Sequence, residues 1–196
     1  MMFFGVFAQF KQEYPDIKIS LVEGTVLELS EQITAGTVDV AFLTNVLEYP
    51  HVVTRTLIKE EILLVVPCSH PLAGLADRAP PGELARVDLR SFEQNEFLVV
   101  GEGTTLRTLE NRMFNQAGFK PRVIFETDRL STLHMLSRGG FGLSFVPMFY
   151  AEKTEDAVYF RTNPAASWEL VAACRRDHYV TRAEEYMIRL AAEYYR

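Results

Sequence analysis

The stretch from Phe10 to Thr44, FKQEYPDIKISLVEGTVLELSEQITAGTVDVAFLT, constrains this chain most. It opens at the end of a helix that Tyr14-Pro15 must stop, because the residue before a proline avoids helical backbone angles. Residues 17–22 then set Ile17, Ile19 and Leu21 against Lys18, Ser20 and Val22, the period of a strand with one better-buried face. Thr25 and Glu28 are spaced as a capping box, in which hydroxyl and carboxylate each satisfy an orphan backbone donor. Leu29 and Ile33 share one face of the helix that follows, and Gly36 ends it. Residues 38–43 are almost continuously apolar, which suits a strand in a sheet covered on both sides. Strand, helix and strand in this order predict a βαβ unit with parallel pairing. Ligands of parallel sheets sit where strands turn into helices, here at Glu23-Gly24-Thr25 and Thr44-Asn45.

Upstream, Phe3, Val6, Phe7 and Phe10 fall on one helical face that runs to about Glu13. Downstream, residues 52–66 read as one or two strands stopped by Pro67, followed by a turn at CSHPLA and a proline-rich connection over 73–87. Asp88-Leu89 opens a short helical turn, and Glu96–Val100 is the next strand. Gly101-Glu102-Gly103-Thr104-Thr105 leads into a helix with Leu106, Leu109 and Met113 as its stripe and Gly118 as its stop. A strand over 122–126, a helix capped by Asp128 and ended by Gly139-Gly140, and a strand over 143–146 closed by Pro147 continue the alternation. Strand–helix alternation of this kind makes a second α/β lobe. A strand over 168–174 and a helix opened by a Thr181/Glu184 capping box complete the chain.

The net charge of −6 argues against a nucleic-acid surface on this piece. No apolar run reaches membrane-spanning length, and residues 1–10 lack the basic leader and cleavage pattern of a signal peptide. Two distant cysteines, Cys68 and Cys174, make no disulfide framework and point to a reducing compartment. Cys68 and His70 cannot form a zinc site alone, and His51, His134 and His178 stand isolated in sequence, so no metal or other cofactor is expected. Gly139-Gly140-Phe141-Gly142 follows a helix and precedes a strand, the wrong order for a phosphate cradle. Ser144 lacks a nucleophile elbow, and Glu60-Glu61 and Arg175-Arg176 read as solvated faces. What remains is a small-molecule site at helix starts, where free N–H groups and threonine hydroxyls bind carboxylate or phosphate oxygens. Thr25, Thr104 and Thr105 occupy such positions, and each also serves as a plain helix cap. Asp128 would repel an anion and is weighted as a cap.

In this order, Phe10, Tyr14-Pro15, Ile17, Leu21, Glu23-Gly24, Leu29, Ile33, Gly36, Asp39, Ala41, His70-Pro71-Leu72-Ala73, Leu106-Arg107, Gly139, Phe141-Gly142 and Val146-Pro147 resemble the effector-binding (regulatory) domain of LysR-type transcriptional regulators. The resemblance spans essentially the whole chain. It implies an α/β fold of the type 2 periplasmic-binding-protein kind, with two Rossmann-like lobes joined by two crossover strands. Lobe I would take residues 1–66 and 170–196, and lobe II residues 67–169, with crossovers near 65–70 and 168–170. The family's first strand, and the winged helix-turn-helix that reads DNA, have no counterpart in this sequence. The resemblance also implies a small anionic effector held by Thr25, Thr44, Asn45, Gly103, Thr104, Thr105, Val146 and Pro147. It implies homodimers or homotetramers in the cytoplasm, contact with DNA only through a domain outside this chain, no membrane, and no catalysis. Two rivals share the fold: a solute-binding receptor of a transport system, and a dehydratase-type enzyme, whose Thr-Arg-Phe motif this sequence lacks.

Overall fold

The computed structural model of the chain describes residues 4–44, 50–151 and 155–194. In chain order the elements are α1 (Phe4–Glu13), α2 (Val26–Ala35), β1 (Ala41–Thr44), β2 (Val52–Pro67), β3 (Arg86–Asp88), β4 (Glu96–Val100), α3 (Thr105–Ala117), β5 (Arg122–Thr127), α4 (Leu130–Arg138), β6 (Ser144–Pro147), β7 (Ala157–Asn163), β8 (Ser167–Arg175) and α5 (Arg182–Tyr194). They pack as two compact units, Met1–Lys59 with Glu169–Arg196, and Glu60–Trp168. β2 and β8 carry the chain from one unit to the other.

In the first unit α2 starts and stops where its spacing requires. The Thr25 amide donates to Glu28 Oε2 at 2.7 Å, the Glu28 amide donates to Thr25 Oγ at 3.3 Å, and Gly36 closes the helix at φ 73°. Leu29 and Ile33 pack on Ala41, Leu43, Val52, Val171 and Ala173. The expected βαβ unit does not form. β1 lies antiparallel to β8, Ala41 opposite Ala173 and Thr44 opposite Leu170. Among the described residues no strand covers 17–22, where Ile17, Leu21 and Val22 are exposed. Alternation shows which side chains would share a face, but a strand exists only where a neighbour supplies the ladder. Ile19 alone turns inward, onto the cluster that Val6 and Phe10 of α1 make with Ala183 and Leu190 of α5. Phe10, Tyr14 and Tyr186 add stacked and edge-on ring contacts with centroids 5.2–6.2 Å apart. The apolar face of α1 is thus covered within the chain by a helix; Phe3 lies outside the described residues.

The second unit keeps the expected alternation β4–α3–β5–α4–β6. β4 and β5 are parallel, from Glu96 opposite Arg122 to Val100 opposite Thr127. A parallel bridge joins Phe97 to Leu143. β2 is one continuous strand, and its C-terminal half pairs antiparallel with β6 and β7, while β3 runs parallel to β7. β7 goes unmarked in the sequence because its buried positions Ala157, Tyr159, Phe160 and Thr162 do not alternate cleanly. Asp128 does not cap α4. The helix begins at Leu130, Arg129 is the capping residue with no side-chain hydrogen bond, and the turn is made instead by the Arg129 amide donating to Thr127 Oγ at 3.2 Å. The unit's core is aromatic: Phe92, Phe97, Phe114, Phe145 and Phe160 are almost wholly buried.

Candidate functional site

The β4–α3 loop is built by its own side chains. Thr104 caps α3, its hydroxyl accepting from the Arg107 amide at 3.2 Å and donating to the Gly101 carbonyl at 2.9 Å. Gly103 stands at φ +82° with open space around its α-carbon, a conformation that costs glycine little. A β-carbon at Gly101 would collide with the Asp128 carboxylate, so the loop passes the start of α4 closely only because that position has no side chain. Arg107, with its side chain only 13% exposed, staples the whole: Nη1 donates to the Val100 carbonyl at 2.8 Å and meets Glu126 at 3.2 Å, and Nη2 meets Glu102 at 2.8 Å. Its guanidinium charge is therefore balanced inside the loop, leaving an anion to be met by the N-terminal amides of α3.

The side chains singled out from the sequence fall in different places. Gly103, Thr104 and Thr105 are contiguous at the start of α3, and Thr105 is half-buried. Val146 and Pro147 end β6, opposite Leu63 and Ile62 of β2; Val146 is fully buried with Leu63, Val65, Ala157 and Tyr159. In the other unit, the hydroxyl of Thr25 is engaged in its own capping box and Thr44 ends β1, half-buried. Asn45 lies outside the described residues. The double engagement of Thr104 gives a stability test: Thr104→Ala removes an N-cap and a loop bond and is expected to cost about 0.5–2 kcal/mol, a drop of a few degrees in Tm by scanning calorimetry.

One sequence reading changes. Glu60 is not on a solvated face. It is buried, Oε1 accepting from the Phe149 amide at 3.0 Å and Oε2 from Trp168 Nε1 at 2.9 Å. Burial and the charge of Glu60 raise the pKa of Tyr150. Glu61 meets Arg86 and Arg161, each at 3.4 Å. The sequence signal that could have marked Glu60 is its place in an apolar strand, where a carboxylate needs partners. His70 is a structural histidine. Nδ1 accepts from the Leu72 amide at 3.1 Å, Nε2 is 2.8 Å from Asn95 Nδ2, and burial lowers its pKa. His134 meets the Tyr159 hydroxyl at 2.7 Å, and Ser144 accepts from Ser137 at 2.7 Å, so neither is presented as a catalytic group.

Comparison with known proteins agrees on one family. The LysR substrate binding domain matches residues 2–196. The HTH-type transcriptional regulator YcgK of Bacillus subtilis is 25% identical, over 94% of this chain and 60% of its own. The chain therefore spans less than two thirds of that relative's length. HinK, a LysR family transcriptional regulator from Pseudomonas aeruginosa, superposes with a TM-score of 0.77 at 22% identity, covering 96% of this chain and 64% of HinK. The effector binding domain of BenM, solved with its effector benzoate, superposes with a TM-score of 0.76 at 19% identity, covering 96% of this chain and 83% of that one.

Proposed function

The chain belongs to the LysR substrate-binding-domain family, and from that premise we propose that it is the effector-sensing part of a longer LysR-type DNA-binding transcriptional regulator. The proposed effector is a small anionic metabolite, engaged by Thr25, Thr44, Asn45, Gly103, Thr104, Thr105, Val146 and Pro147. Binding shifts a pre-existing conformational equilibrium, which a homodimer or homotetramer passes to DNA-binding heads outside this sequence. The protein acts in the cytoplasm and turns nothing over. The observation that carries this reading is the family match over residues 2–196, with the β4–α3 loop beside it. Arg107 is neutralised within that loop, so a carboxylate there is selected by directed N–H groups, not by excess positive charge. The benzoate carried by the BenM domain is a ligand of this chemistry. Among the described residues no helix is long and apolar enough to cross a membrane.

A thermal-shift panel of small carboxylates, benzoate among them, followed by calorimetry on the best, tests the proposal. One member is expected to raise the melting midpoint by mass action and to bind one per chain. Thr105→Val should weaken it at least tenfold. Turnover of a keto acid by the pure protein would support the dehydratase reading instead, and an affinity unchanged by Thr105→Val would remove the α3 start from the site.

A further inference from the structure

Three residues with no relation in sequence meet in the first unit. Asp39 lies in the turn between α2 and β1, His178 in the turn after β8, and Glu184 in the first turn of α5. One imidazole nitrogen and one oxygen from each carboxylate all lie within 4.8 Å of one another. His178 Nε2 stands 3.2 Å from each oxygen of Glu184. Two donor atoms held by one tetrahedral zinc at its usual bond lengths stand roughly 3.3 Å apart. The histidine–glutamate pair stands at hydrogen-bond distance, a separation that two ligands of one ion also share.

The surroundings fix two of the three groups, and no lysine or arginine among the described residues offsets the carboxylates. Glu184 is held by the amide of Thr181, which donates to Oε2 at 2.6 Å, while Oε1 faces His178 Nε2 at 3.2 Å. The His178 amide donates to the Arg175 carbonyl at 3.0 Å, which sets the turn. Asp39 is exposed, with a carboxylate oxygen already within 4.8 Å of the other two donors. Two carboxylates at this range repel each other. Among the described residues no lysine or arginine pairs with either: Arg175 is taken by Asp177 at 2.6 Å and Arg55 by Glu185.

We propose that Asp39, His178 and Glu184 form a binding site for a divalent first-row transition metal, zinc by preference, with the fourth position open to water. One imidazole with two carboxylates suits such an ion, whereas calcium needs six or more oxygens and magnesium an octahedral oxygen shell. Bound there, the ion ties the turn before β1, the turn after β8 and the start of α5 together.

The test is calorimetric titration of the chain with zinc chloride alone, repeated with magnesium and calcium chloride. One zinc per chain is expected, with no comparable binding of the other two ions. Glu184→Gln preserves the capping box, since glutamine also caps, and should weaken zinc at least tenfold without altering the circular dichroism spectrum. His178→Gln and Asp39→Asn should each do the same, whereas Cys68→Ser and Cys174→Ser should leave the affinity unchanged. Cobalt(II) in place of zinc should give the visible absorption of a four-coordinate site, lost in His178→Gln. Failure to bind zinc, equal affinity for calcium, zinc binding unaffected by all three variants, or zinc binding lost in a cysteine variant would each overturn the proposal and leave His178 and Glu184 as a simple hydrogen-bonded pair.

Discussion

Phe97→Ala is expected to lower stability by about 3–5 kcal/mol. Phe97 sits in β4 with none of its surface exposed. Its ring lies edge-on to Phe114 at 4.9 Å between centroids and parallel to Phe145 at 6.4 Å, with Phe119 at 6.2 Å. Phe114 and Phe145 touch each other as well, at 5.6 Å, so the rings close on themselves and none can move far to fill a void. Truncation removes the transfer energy of the ring and leaves a cavity whose walls are held by β4–β5 pairing and by the bridge from Phe97 to Leu143. A domain's net stability is only about 5–15 kcal/mol, so roughly a fifth or more of it would be lost. Urea unfolding should show a lower midpoint with an unchanged slope, and Phe97→Leu should recover more than half the loss. A midpoint within experimental error of the parent would mean that these rings do not form the packed centre of the second unit.

The same residues show how far the sequence could be read. Capping boxes at Thr25/Glu28 and Thr181/Glu184, the glycine stops at Gly36 and Gly118, and the stripe Leu106, Leu109, Met113 all appear where their spacing places them. The caps and stops are satisfied within one helix turn and the stripe within one helix, so they depend little on the distant chain. The pairing of strands is a long-range matter. Residues 17–22 carry a strand's alternation, but β1 takes its partner from β8, more than a hundred residues onward, and no local pattern encodes that choice. Glu60 and Asp128 fail for a related reason. A carboxylate in an acidic pair looks solvated until Trp168 and the Phe149 amide are brought to it, and an aspartate before a helix looks like a cap until the helix starts one residue late. At the β4–α3 loop the sequence marks Gly103, Thr104 and Thr105. It says nothing of Arg107 as the residue that holds the loop, because its acceptors come both from the end of β4 with the loop after it and from β5.

Glu110→Met is expected to stabilise the protein, and to do so more at pH 8 than at pH 5. Glu110 lies on the inner face of α3 with none of its surface exposed, and neither carboxylate oxygen makes a hydrogen bond of ordinary geometry, the Val100 backbone being near enough only to favour the charged form in part. Burial raises its pKa well above the ordinary glutamate range. The Arg107 charge opposes that shift, while Glu102 and Glu126 add to it and also share the guanidinium. An acid whose folded pKa stands above its unfolded value holds its proton more tightly in the folded state. The stability it contributes is present below the ordinary glutamate pKa and is lost as pH rises toward the folded pKa. Methionine fills a similar volume, keeps a good helix former at the site and removes the titration. Relief of a buried, unsatisfied polar group is worth about 1–3 kcal/mol, so the gain at pH 8 should be visible as a higher urea midpoint. The difference between variant and parent should shrink steadily as the pH is lowered to 5. A variant less stable than the parent at pH 8, or a gain that does not change with pH, would show that the Glu110 carboxyl is solvated or paired in solution and that its burial imposes no cost on the fold.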